Sequence, residues 1–307
     1  AGLPDRSGPG VIGRCTGPAS GAAAGRYVYD AVHDPALTRR LLEYLATGAD
    51  RNGLRFRRLP GAEIDPGPRG TVLGAEQSNT SLVYGESYIC KIFRRLTPGL
   101  NPELEIVSAL ARRDVPHIAR PYGWIEAEVD GTATTLAILQ EYLPAARDGW
   151  ALALASVRDF YAAPPAVPAS RAGGDFAAEA YRLGEGTARI HRELALAFPT
   201  GVLPPEELKR LADRLRRRLA ETAAEIPELR PHAAVARRAF DRLAEVARPV
   251  PVQRVHGDYH LGQVMRTPTE WIILDFEGEP GQPLAERRAL DSPLRDVAGM
   301  LGSFEYA

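Results

Sequence analysis

Two carboxylates and an amide stand close together late in the sequence: Asp258, then Gln263 five residues on, then Asp275 seventeen residues after Asp258. Asp258 closes His256-Gly257-Asp258, which follows a short strand-like run. Asp275 closes the apolar run Trp271-Ile272-Ile273-Leu274. Phosphoryl transfer to a hydroxyl needs one carboxylate to take or orient the hydroxyl proton. It also needs two or more oxygen ligands that hold Mg²⁺ on the phosphates. Asp258 suits the base, and Gln263 and Asp275 suit the ligands. Glu277, two residues further, reads equally as another ligand or as a solvated loop acid. A lone Asp at a strand end is usually a cap or turn residue; the joint spacing is what lifts these above that. His256 reads as structural, bonding across the loop backbone. His260 reads either as close to an acceptor or as a satisfied loop histidine.

Only two of the 38 Lys and Arg residues are lysines, Lys91 and Lys209. In a chain that uses arginine wherever charge alone is needed, a surviving lysine has chemical interest. Lys209 lies in the charged segment PEELKRLADRLRRRL and reads as solvated. Lys91 lies inside the strand-like YICKIF, ahead of a helix that carries Glu103 and Glu105. A strand lysine that contacts the α- and β-phosphates pairs with a helix glutamate. Glu105 is the expected partner, with Glu103 in the first turn offsetting the helix dipole. Gln77, Ser78, Asn79, Thr80 and Ser81 are expected to form a tight turn between two strands, with N–H groups that cradle phosphate. The backbone of Leu139–Leu143, including Glu141 and Leu143, is expected to meet an adenine ring. Asp296 reads as dipole compensation or as a buried carboxylate accepting N–H bonds from the Asp258 loop. The protein-kinase pattern H-R-D-x-x-x-x-N followed by D-F-G corresponds here to His256-Gly257-Asp258, Gln263 and Asp275-Phe276-Glu277.

These residues need elements to hold them. Residues 1–25 are rich in Gly, Ala and Pro and read as loop. Asp34-Pro35 opens an amphipathic helix that Gly48 closes. Residues 53–66 read as strand and turn, 71–93 as strand, turn, strand. Asn101-Pro102 starts a helix with Pro at its first position and acids in its first turn. Two strands follow around an Asp130-Gly131 hairpin turn. After Leu143 the apolar spacing becomes helical over 148–161, 175–198, 204–224 and 228–247. A loop-and-strand section then carries Asp258 and Asp275, and a last helix starts near Pro293 with no stop signal, so the domain is expected to continue. The expected fold is α+β: bilobal and protein-kinase-like, with a β-rich N-lobe and a mainly helical C-lobe. Residues 1–52 read as a remnant of an N-terminal cap region and linker, 53–143 as the nucleotide-binding N-lobe, and 144–307 as the C-lobe.

Composition narrows the class. The 307 residues are 45% hydrophobic and 25% charged, which is globular. A net charge of −1 gives no field for nucleic acid or a polycation. No apolar run reaches the roughly 18 residues of a membrane span, and no secretion signal opens the chain. Cys15 and Cys90 make no disulfide framework or zinc spacing. A cytoplasmic location is the expectation.

The segments AEQSNTS (75–81), KIFRRLTPGLNPELE (91–105), QRVHGDYHLGQVMRTP (253–268) and WIILDFEGEPGQPLAERRALDSPLRDVAGMLGSFEYA (271–307) carry a family resemblance. From about residue 70 onward the chain resembles the maltokinases of actinobacteria, within the wider group of aminoglycoside phosphotransferase-like kinases. That resemblance implies ATP- and Mg²⁺-dependent phosphorylation of maltose to maltose 1-phosphate, feeding α-glucan synthesis. It implies Asp258 as base, Gln263 and Asp275 as magnesium ligands, Lys91 on the phosphates, a small sugar as substrate, and a trehalose synthase as partner. A glucosamine kinase of the same build is the alternative. A nucleotide-binding module without transferase activity is a further one, motivated by Gln263 where kinases carry Asn.

Overall fold

The computed structural model describes residues 10–16, 24–75, 79–173 and 176–307. A short hairpin, β1 (Val11–Arg14) and β2 (Tyr27–Tyr29), precedes helix α1 (Pro35–Thr47). Asp34 Oδ1 accepts the Ala36 N–H at 2.8 Å to start α1, and Gly48, at φ 67°, ends it. Strands β3 (Asp50–Arg51), β4 (Leu54–Arg58), β5 (Gly70–Ala75), β6 (Asn79–Tyr84) and β7 (Tyr88–Phe93) lead to helix α2 (Pro102–Ala111). Then come β8 (Pro121–Val129) and β9 (Thr132–Glu141). The seven strands β3 to β9 form one sheet in the order β3-β4-β8-β9-β7-β6-β5, with every pairing antiparallel. The β8–β9 turn is Asp130-Gly131 as expected, both at positive φ (50° and 74°), which matches the twist of a tight hairpin.

One face of this sheet buries Phe56, Leu82, Tyr84, Cys90, Ile125 and Leu139 against Leu42 and Leu45 of α1. Leu42 and Leu45 are fully buried, and Tyr84 donates its hydroxyl to the Thr38 carbonyl at 2.8 Å. Helix α1 falls within the 1–52 segment read as a cap remnant, yet it completes the core of the sheet lobe. Apolar burial of this kind contributes roughly 1.5–3 kcal/mol per large side chain.

The rest of the described chain is mainly helical. Strand β10 (Arg147–Asp148) is followed by α3 (Gly149–Ala162), α4 (Ala169–Ala172), α5 (Phe176–Ala197), β11 (Gly201–Leu203), α6 (Pro205–Glu225), α7 (Arg230–Ala244) and β12 (Val250–Val252). The chain then forms β13 (Val264–Arg266), β14 (Trp271–Ile273), α8 (Leu284–Arg287) and α9 (Leu294–Tyr306). The four helical stretches read from apolar spacing appear as α3, α5, α6 and α7. β10, β13 and β14 form a small antiparallel sheet that presents the loops on either side of it. Helix α2 belongs to both halves: Ile106, Val107 and Leu110 pack with Leu183, Ile190, Leu261, Trp271 and Phe276 of the helical lobe. The fold is α+β and bilobal, and among the described residues no helix is long and apolar enough to cross a membrane.

Candidate active site

The loop from His256 to Gln263 is held from below by one carboxylate. Asp296, in the first turn of α9 and 1% exposed, accepts the His256 N–H and the Gly257 N–H, both at 2.9 Å. His191 Nε2 of α5 lies 2.8 Å from the same group. Burial opposes the Asp296 charge. The hydrogen bonds from His191, Gly257 and His256 outweigh it and hold the carboxyl below its ordinary range. Of the two sequence readings of Asp296, the buried carboxylate is the one the structure has. Helix α9 reaches this loop because residue 299 is Gly: a Cβ there would stand 2.6 Å from the Tyr259 carbonyl oxygen.

His256 is buried, and burial lowers its pKa. Its Nδ1 accepts the Asp258 N–H at 3.3 Å, so the proton resides on Nε2, which donates to the Leu274 carbonyl at 2.7 Å. This neutral histidine ties the Asp258 loop to Leu274, between the end of β14 and Asp275. His260 folds back on its own loop, Nδ1 accepting the Gly262 N–H at 3.1 Å.

Loss of the Asp296 carboxylate should loosen the whole loop. Asp296→Ala is expected to destabilise the protein by about 3–5 kcal/mol at neutral pH, the range for breaking a buried charged network. The sign follows from the depressed pKa: the contribution is present above the ordinary carboxylate value of about 4 and is lost as pH falls through the lower folded value. Denaturant unfolding of wild type and variant from neutral to acid pH checks this. A gap that stays constant with pH would remove Asp296 as its source.

Lys91, on β7, is the hub of the next cluster. Its Nζ is 3.3 Å from Glu103 Oε2 and 3.1 Å from Glu277 Oε1, and it donates to Asp275 Oδ1. Burial works against the lysine charge, but Glu103, Asp275 and Glu277 outweigh it and hold the ammonium protonated well above the ordinary range. Burial, with the like charges of Asp275 and Glu277, pushes the Glu103 carboxyl up against the pull of Lys91.

The expected partner of Lys91 is thus corrected from Glu105 to Glu103. Two residues on a helix are about 200° apart, so the pair cannot share a face. Glu103 points at β7 and is 2% exposed. Glu105 points at the helical lobe, where it accepts from Arg254 Nη1 at 2.8 Å and Arg288 Nη2 at 2.5 Å. Burial opposes the Glu105 charge, but these arginines hold its carboxyl below the usual range.

The turn expected at 77–81 is corrected for its last three residues. Asn79, Thr80 and Ser81 are buried in β6, in register with Phe93, Ile92 and Lys91. Thr80 Oγ1 accepts from Arg94 Nε at 2.7 Å. Gln77 and Ser78 lie outside the described residues. The 139–143 segment is the end of β9 and the start of the lobe connection. There the Glu141 N–H is bonded to the Arg120 carbonyl at 2.8 Å, and the Leu143 carbonyl accepts from Ala146 N–H at 3.1 Å. These bonds use the Glu141 N–H and one lone pair of the Leu143 carbonyl, and they are compatible with a backbone contact to adenine through the Leu143 N–H. Lys209 is exposed, as read.

A cavity of about 350 Å³ collects Asn79, Lys91, Asp258, Gln263, Asp275, Glu277 and Arg287. A second, of about 760 Å³, is lined by Trp150, Asp258, Tyr259, His260, Glu279, Arg295 and Tyr306. Asp258 lines both. The two loops that carry the acids touch through glycine: a Cβ on Gly257 (φ 86°) would stand 3.2 Å from the Gly278 Cα. Asp275 itself is at φ 58°, the left-handed region that few non-glycine residues enter and that often marks functional sites. Arg287 was not read from the sequence; its position depends on α8 folding back over Gly278, and no spacing signals that.

Residues 69–301 match the family described as "Phosphotransferase enzyme family" (APH). The chain belongs to this phosphotransferase family. Among curated proteins it is similar to a glucosamine kinase of Streptacidiphilus jiangxiensis, 31% identical over 259 residues, covering 80% of this chain and 56% of the relative. It is also similar to a glucosamine kinase of Mycolicibacterium smegmatis, 30% identical over 250 residues, covering 75% of this chain and 57% of that one. The phosphotransferase chain thus spans a little over half the length of these relatives. Among solved structures it resembles a glucosamine kinase in complex with glucosamine, ADP and inorganic phosphate, with TM-score 0.68 and 25% identity over 92% of this chain and 65% of that one. A glucosamine kinase in crystal form A gives TM-score 0.70 at 25% identity over 93% of this chain and 64% of that one.

Proposed function

We propose that this phosphotransferase is a sugar kinase that transfers the terminal phosphoryl group of ATP to a hydroxyl of an amino sugar of the glucosamine class. The observation that carries the reading is the position of Asp258. It borders the smaller cavity, where Lys91, Gln263 and Asp275 gather, and the larger one, which has room for a hexose. A donor held on one side and an acceptor on the other would meet at its carboxylate.

Asp258 would orient the acceptor hydroxyl and take its proton. Lys91, held straight by Glu103, would contact the donor phosphates. The oxygen donors of Gln263, Asp275 and Glu277 suit a hard divalent cation. Asp275, Glu277 and Glu103 place ligand atoms within 4.8 Å of one another, with Glu277 Oε1 buried and 3.1 Å from Lys91 Nζ. Magnesium held by Gln263, Asp275 and Glu277 would neutralise charge on the phosphates. Most of the rate would come from positioning and electrostatics.

The acceptor reading shifts from the one drawn from the sequence. The relatives named above are glucosamine kinases, so the amino-sugar alternative takes precedence over maltose. The same relatives give no support to the α-glucan route or to a trehalose synthase partner. The larger cavity carries the carboxylate of Asp258 and that of Glu279, which Arg295 meets at 3.2 Å through one oxygen; the carboxylate oxygens left over suit an amine on the acceptor.

The test is ADP release with ATP and Mg²⁺ against glucosamine, maltose, glucose and kanamycin, with phosphorus NMR of the product. Turnover with glucosamine is expected. Turnover with maltose alone would restore the first sequence reading. Nucleotide binding without turnover on any sugar would favour a binding module.

A further inference from the structure

Two arginines of the smaller cavity, Arg95 and Arg287, have no task in the reading above; Arg95 is exposed, and Arg287 is the more buried of the two. It ends α8, and its stem lies across the backbone that follows Asp275-Phe276-Glu277. A Cβ on Gly278 would stand 3.3 Å from Arg287 Cβ and 3.5 Å from its Cγ. The side chain is 10% exposed. Its Nη1 donates to the Glu277 carbonyl at 3.3 Å and is 3.7 Å from Glu277 Oε2. Its Nε is buried with no hydrogen-bond partner among the described residues.

A buried cationic donor left unpaired costs free energy. A ligand that supplies an acceptor removes that cost. The cavity it lines also holds Lys91, Asn79 and the base Asp258. The chemistry that fits a planar guanidinium beside an ammonium is a phosphate, whose oxygens accept from the fork of N–H groups.

We propose that Arg287 binds the terminal phosphate of the donor nucleotide, and stabilises the charge on the phosphoryl group as it moves. The inference rests on the kinase reading. In that step the bond between the terminal phosphorus and its bridging oxygen breaks, and its electron pair leaves with ADP. The acceptor oxygen bonds to phosphorus, and its proton passes to Asp258. Arg287 takes no proton; it neutralises the oxygens of the group in transit.

Arg287→Met keeps the stem that packs on Gly278 and removes the charge. Calorimetry with Mg²⁺ would compare a non-hydrolysable ATP analogue with ADP, and ADP release would give kcat and KM. Affinity for the triphosphate is expected to fall about tenfold or more, the scale of a charge-assisted contact, while ADP affinity stays within about twofold. With the acceptor that wild type turns over, kcat is expected to fall about 10²-fold or more. Arg287→Lys, which keeps a cation on a long stem, should recover part of both effects and serves if the methionine variant does not fold. Equal weakening of both nucleotides, or no change in either, would overturn the inference and leave the kinase reading standing. Failure of the wild-type protein to bind either nucleotide would overturn both.

Discussion

Asp258→Asn is expected to lower kcat by about 10²- to 10⁴-fold, the range for losing a general base, with nucleotide affinity within a few-fold of wild type. The separation of effects follows from the loop. The anchors of this segment are the His256 and Gly257 N–H groups on Asp296 and the Asp258 N–H on His256; none uses the Asp258 carboxylate. Asn keeps the shape and loses only the proton acceptor. ADP release on the accepted sugar, beside calorimetry with an ATP analogue, measures both quantities. A variant with wild-type kcat would move the base to another residue.

Asp275→Asn is expected to remove most of the Mg²⁺ dependence of nucleotide binding and to cut kcat by about 10²-fold or more. Asn is the apt replacement because Asp275 is at φ 58°, a region Asn enters more readily than Ala. The charge is thereby tested without added backbone strain. The change also takes one of three carboxylates from Lys91, which still has Glu103 at 3.3 Å and Glu277 at 3.1 Å. Binding titrations with and without Mg²⁺ decide the matter. A variant with the wild-type difference between the two would show that Asp275 is no ligand.

The parts of this site that were legible in the sequence are those fixed by short spacing. Asp258, Gln263 and Asp275 lie within eighteen residues, and a loop, a short hairpin and a strand end leave few ways to arrange them. Lys91 was legible for a different reason, its rarity in an arginine-rich chain. What failed were choices that depend on rotation and packing. Glu103 and Glu105 are both in the first turn of α2, and only the docking of that helix against β7 says which faces Lys91. Asn79 to Ser81 have turn-like composition, yet pairing of all three with β7, and of Thr80 and Ser81 with β5, draws them into the sheet. Arg287 gave no local signal, because its place depends on the Gly278 backbone it lies upon. The lobe order was readable from the change of period after Leu143, while the place of α1 in the sheet core was not, since its leucines acquire meaning only once the sheet is built.

The contact between Gly257 and Gly278 sets a limit on how this protein can change. The spacing between Asp258 and Asp275 is fixed where two main chains meet, with no side chain between them. Variation of neighbouring side chains has little purchase on that spacing, so the chemistry should be inherited unchanged while the larger cavity drifts. Lineages built on this frame would diverge in the acceptors they take long before they diverge in the phosphotransfer itself.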